Sequence, residues 1–132
     1  MIGLDSNILI RYFTEDDPVQ AALARDLLEN QLSAEDEPGF VSVVAMAETV
    51  WVLDRRYRFT DEQIAAAVER LLQTEVLLIE NEAEVFAAMT ALRDRRGEFA
   101  DALIGALCRK AGCTRVYSFD RGALRLPGFE HP

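Results

Sequence analysis

Histidine and lysine are nearly missing from this chain: His131 stands beside the last residue, and Lys110 is the only lysine. A lone histidine at the tail leaves Ser-His-Asp and Cys-His mechanisms without their base, and leaves zinc without its usual nitrogen ligand. Cysteine is scarce too. Cys108 and Cys113 lie near an expected helix end, where a disulfide would be awkward, so a reducing compartment is expected. The glycines form neither G-x-G-x-x-G nor a P-loop. No apolar stretch reaches the ~18 residues of a membrane span, and the strand-like run Met1, Ile2, Gly3, Leu4 begins without a basic segment. Neither a span nor a secretory leader is expected, and the protein is expected in the cytoplasm. Positive charge as a class is short: 14 Lys and Arg against 23 Asp and Glu leave a formal net charge of -9. Such a field repels polyanions, so a nucleic-acid substrate needs positive charge from another source, whereas a basic protein partner suits it.

What remains is ordinary globular material, 132 residues with 50% hydrophobic and 28% charged side chains, enough for one domain over 1–132. Short β-rich runs stand at Met1–Leu4, Phe40–Val43, Val76–Ile79 and Val116–Phe119. Helix starts are legible between them. Asp17 before Pro18 is an N-cap with a first-turn proline, Thr60 with Gln63 is a capping box, and Asn81 with Glu84 resembles one. Helices are therefore expected from about 18, 61 and 82. Arg93, Arg95 and Arg96 before Gly97, and Arg109 and Lys110 before Gly112, read as helix ends with cations and a glycine at the carbonyl terminus. Short strands alternating with helices predict an α/β fold, a three-layer α/β/α sandwich around a parallel sheet. The acidic stretch Ser33–Gly39 reads as a surface loop.

The informative feature is where four acids sit. Asp5 is the only charge from Met1 to Ile10, and Glu48 the only one in GFVSVVAMAETVWVL. Asp101 is the only polar residue in ADALIGALC, and Asp120 closes the strand VYSF. A carboxylate buried in such a run is costly unless it is protonated, paired or bound to a metal. The arginines cluster elsewhere, around Arg55–Arg58 and Arg93–Arg96. Asp5 and Asp120 are expected at the carboxyl ends of parallel strands, where open α/β sheets place their ligands, with Glu48 and Asp101 reaching that edge from helices. All-oxygen ligation selects Mg²⁺ or Mn²⁺. Two such ions can activate a water and stabilise the leaving oxygen of a phosphodiester, while supplying the positive charge the surface lacks.

Each acid alone has a plainer reading. Asp5 with Ser6 and Asn7 can start a helix, and Asp120 with Arg121 can open a turn. Glu48 and Asp101 lie mid-run, where no capping role is expected. Met46, Trp51, Phe86 and Met89 at helical spacing read as core or subunit-contact residues, the arginine clusters as solvated helix ends, and Cys108 as a small buried hydrophobe. A phosphoacceptor receiver domain shares the acidic strand-end pocket but needs a lysine at a later strand end, and Lys110 closes a helix instead.

Taken in order, GLDSNILIRYF, AMAETVWVL, FADALIGALC and VYSFDRGAL resemble the motifs of PIN-domain ribonucleases, and in size and ordering the chain is similar to the VapC toxins of bacterial type II toxin–antitoxin systems. The resemblance implies a parallel sheet between helices and Mg²⁺- or Mn²⁺-dependent hydrolysis of RNA. It also implies a cognate VapB-like antitoxin and a homodimer. Carried over residue by residue, it makes Asp5, Asp101 and Asp120 metal ligands and Glu48 a ligand or the group that orients the attacking water. Ser6, Asn7 and Ser118, the last standing where many relatives have threonine, would hold those carboxylates in place. Some PIN domains bind without cleaving, so a noncatalytic RNA- or partner-binding module is the alternative.

Overall fold

The computed structural model describes residues 1–132. Strand β1 (Ile2–Gly3) leads into α1 (Ser6–Phe13) and α2 (Pro18–Asp26), which winds on through a wider turn at Leu27–Gln31. Then come β2 (Gly39–Val41), α3 (Val43–Arg55), α4 (Asp61–Leu72), β3 (Leu77–Ile79), α5 (Glu82–Arg93) and α6 (Phe99–Lys110), followed by β4 (Val116–Tyr117), a 3₁₀ turn at Ala123–Arg125 and β5 (Phe129–Glu130). The sheet has order β1-β2-β3, all parallel, with Gly39 opposite both Ile2 and Leu77. With helices packed around it, this is the three-layer α/β/α arrangement expected. No helix is long and apolar enough to cross a membrane.

Local chemistry explains the helix starts. Asp17 accepts from the Gln20 amide above Pro18, and Thr60 and Gln63 complete a reciprocal capping box. Ser42 accepts from the Ala45 amide and turns the chain into α3, so the run Phe40–Val43 stops being strand at Val41. Asn81 departs from expectation. It sits in the left-handed region at φ 54° and makes no cap; its amide reaches Glu84 instead.

The end of α5 also differs. The left-handed position belongs to Arg95 (φ 57°), whose amide donates to Leu92 while that of Arg96 donates to Ala91, a Schellman closure without glycine. Gly97 serves close packing, since a Cβ there would stand 2.9 Å from the Leu126 side chain. Gly112 does fill its expected role at the end of α6, at φ 97°.

One core of 22 buried residues runs through the molecule, with Leu9, Val41, Met46, Val68, Val85 and Met89 almost fully enclosed. Trp51 and Phe86 stand outside it, 61% and 54% exposed. Cys108 is half-buried, and both cysteines are free thiols.

The fourth predicted strand requires a correction. β4 does not join the sheet but pairs in parallel with β5, Val116 opposite Phe129, because the returning C-terminal segment takes up its ladder groups. Asp120 therefore lies in a turn beyond a separate two-stranded ribbon.

Candidate metal centre

Asp5 follows β1 and caps α1. Its Oδ1 accepts from the Ser6 amide at 2.8 Å and its Oδ2 from the Asn7 side-chain amide at 3.2 Å. The buried Ser6 hydroxyl donates to a Glu48 carboxylate oxygen, tying the first turn of α1 to the middle of α3. These four residues share one cavity of about 400 Å³ with Arg11, Arg56 and Tyr57.

Asp101 and Asp120 form the other pair. Asp101 occupies the first turn of α6, where the helix macrodipole favours an anion, so the expectation that its position lacks a helix-end role is corrected. Its proton affinity is raised above that of an ordinary aspartate, first by partial burial and then by the charge of Asp120. Asp120 itself is anchored: its Oδ2 accepts from the Ala123 amide at 2.9 Å, and its own amide donates to the Ser118 hydroxyl at 3.0 Å. Gly122 permits this turn, because a Cβ there would stand 3.2 Å from Asp120 Oδ2.

Two premises drawn from the sequence are revised. Only Asp101 is half-buried; Asp5, Glu48 and Asp120 are exposed, so the apolar runs do not enclose them. On α3 the buried side carries Ala45, Met46, Thr49 and Val50, whereas Glu48 shares the open side with Val44 and Trp51. Nor are all arginines remote. Arg11 and Arg56 line the Asp5–Glu48 cavity, which no sequence interval announced.

The donor set fits a hard cation. Nine ion pairs occur in the molecule, and none involves Asp5, Glu48, Asp101 or Asp120. All-oxygen groups without basic partners, two of them mutually repelling, suit Mg²⁺, which one or two carboxylates hold while water completes its shell. The four stand as two pairs, and no three His, Cys, Asp or Glu side chains close on a single point. A larger cavity of about 510 Å³, lined in part by Arg96, Arg109 and Arg115, contains none of these acids.

The family model of the PIN domain matches residues 2–128. The chain belongs to the PIN-domain family. A curated relative, a VapC ribonuclease of Aquifex aeolicus (strain VF5), is 28% identical over 128 residues, which cover 96% of this chain and 92% of that one. The match spans the parallel sheet together with the acids that follow β1 and the separate strand β4, and the four motifs read from the sequence lie within it.

Proposed function

We propose that this PIN domain, a single domain over residues 1–132, is a metal-dependent endoribonuclease and the toxin of a type II toxin–antitoxin pair. Asp5, Glu48, Asp101 and Asp120 would hold Mg²⁺ or Mn²⁺, with Ser6, Asn7 and Ser118 fixing their orientation. The observation carrying this reading is that Asp101 and Asp120, brought together from α6 and from the turn after β4, repel one another while neither forms an ion pair, an arrangement that a hard cation relieves. The likeness to a VapC ribonuclease supports RNA as the substrate.

A bound divalent cation lowers the pKa of a coordinated water and neutralises charge building on the leaving oxygen. The protein's own part is preorganisation. Asp5 has both carboxylate oxygens held by the start of α1, and Asp120 has one held by a backbone amide, while its other oxygen accepts no hydrogen bond from the protein. Glu48, anchored at one oxygen by Ser6, has its second available to orient a water for attack.

The formal charge of -9 favours a basic antitoxin of the VapB kind, which would cover this rim in the cytoplasm, and the exposed Val44 and Trp51 offer apolar surface for a homodimer or for that antitoxin. The test is cleavage of single-stranded RNA with Mg²⁺ or Mn²⁺ and with chelator. Metal-dependent cleavage lost in Asp101→Asn is the expected result. RNA or antitoxin binding without cleavage under any metal would replace the nuclease with a noncatalytic module.

A further inference from the structure

The cavity between α1 and α3 is polarised. Glu48 and Val52 on α3 and Arg56 at its C-cap follow at four-residue spacing and all line it. The backbones of Glu48 and Arg56 are thus about two turns apart, ~12 Å along the axis. From α1, Asp5 and Asn7 line the acidic end and Arg11 the other.

The two arginines are in different electrostatic states. Arg11 is compensated and pinned: its Nη1 donates to Asp16 at 2.9 Å and to the Tyr57 hydroxyl at 3.0 Å, and its Nε donates to Gln20 at 2.8 Å. Tyr57 in turn donates to Asp16 at 2.7 Å, closing the network. Arg56 takes part in none of the nine ion pairs, whereas its neighbour Arg55 stands 3.6 Å from Asp54. Its backbone is nonetheless held, the Arg56 amide donating to Val52 and the next residue being the anchored Tyr57. A basic residue at a helix carboxyl end is favoured by the macrodipole, but that does not require it to face the acids.

We infer that Arg56 forms a phosphate subsite that receives the RNA backbone beside the phosphodiester held at the carboxylates, and so positions the strand along the α1–α3 groove. The inference rests on the ribonuclease reading. A helical strand carries one phosphate per ~3.4 Å of axis, so a strand bound at the carboxylates brings further phosphates within the ~12 Å to Arg56. Guanidinium matches phosphate bidentately, and among the arginines outside the ion pairs Arg56 is the one that lines the cavity of Asp5 and Glu48, where it offers local attraction within an overall acidic protein. Arg56 acts here as a positioning residue, distant from the reacting bond.

The experiment measures fluorescence anisotropy of a 12-nucleotide single-stranded RNA, in an Asp101→Asn background that prevents turnover, across a salt series. Cleavage kinetics on a dinucleotide and on the 12-mer accompany it in the otherwise wild-type chain. Arg56→Ala is expected to weaken 12-mer binding roughly fivefold and to make the slope of log affinity against log salt shallower by about 0.7. It raises KM for the 12-mer, leaves kcat and the dinucleotide unaffected, and Arg56→Lys restores part of the salt slope. Arg55→Ala changes none of these. Unaltered affinity, slope and KM in Arg56→Ala, with a wild-type chain that cleaves, would overturn the subsite alone. A wild-type chain that cleaves no RNA, yet loses salt slope on Arg56→Ala, would overturn the nuclease reading and leave the subsite standing.

Discussion

Asp120, in the turn after β4, faces Asp101 on the first turn of α6, and the Asp101 carboxyl is held above the ordinary aspartate range by partial burial and then by that like charge. The two residues come from the C-terminal ribbon and from α6, so tertiary structure alone creates the repulsion. A fold that sets like charges face to face without a basic neighbour loses stability locally, which is the expected signature of a site built for a cation.

The repulsion has a sign in pH. Because the folded-state pKa exceeds the unfolded one, ionised Asp101 destabilises the metal-free protein. This loss sets in as pH rises through the unfolded value of ~3.9 and is complete above the raised folded value. Asp101→Asn is therefore expected to raise the melting temperature of chelator-treated protein at pH 7 by a few degrees, a gain that disappears below the unfolded value. Equal melting curves at pH 7 would contradict the repulsion.

Ser6→Ala removes the buried hydroxyl that donates to Glu48. Urea denaturation should show a loss of about 0.5–1.5 kcal/mol, the ordinary net contribution of a hydrogen bond, since Glu48 stays open to solvent. Cleavage should fall with kcat rather than KM, since a loosened Glu48 orients water poorly.

Gly122→Ala places a methyl 3.2 Å from Asp120 Oδ2 and presses the carboxylate out of its turn. The outcome expected is weaker metal binding in calorimetry with a melting temperature close to wild type. Metal affinity unchanged beside intact folding would show that the Asp120 turn tolerates the displacement.

Tyr57→Phe tests the network that pins Arg11. The Tyr57 hydroxyl holds the Asp16 carboxyl below its usual range, and the Arg11 charge adds to this. A lowered carboxyl stabilises the fold above its unfolded pKa and loses that contribution as pH falls through the folded one. The variant should thus lose stability at pH 7 and show a flatter decline in melting temperature below pH ~4 than wild type.

Much of this was legible in the sequence because it rests on local chemistry. Asp17–Pro18, Thr60 with Gln63, and Gly112 each state a backbone requirement within a few residues, and each appears as read. The misreadings share a cause. GFVSVVAMAETVWVL is apolar partly for its core face and partly for the open face bearing Val44 and Trp51, which are 76% and 61% exposed, so apolarity there did not mean burial of Glu48. Arg95 adopts the left-handed conformation that Gly97 advertised, because Gly97 is needed for packing on Leu126. Arg11 and Arg56 join Asp5 and Glu48 around one cavity between α1 and α3, helices separated in the chain by α2 and β2, a juxtaposition no local pattern encodes.

Manganese binding followed by electron paramagnetic resonance tests the central claim most directly, because free Mn²⁺ gives a signal that a carboxylate-held ion loses. Titrated into wild-type protein at neutral pH, Mn²⁺ should lose signal until at least one ion per chain is taken up and should raise the melting temperature. Asp101→Asn and Asp120→Asn should leave the free-ion signal nearly intact. Wild-type protein that leaves the Mn²⁺ signal unchanged at millimolar metal, with no thermal shift, would contradict a metal centre at these acids.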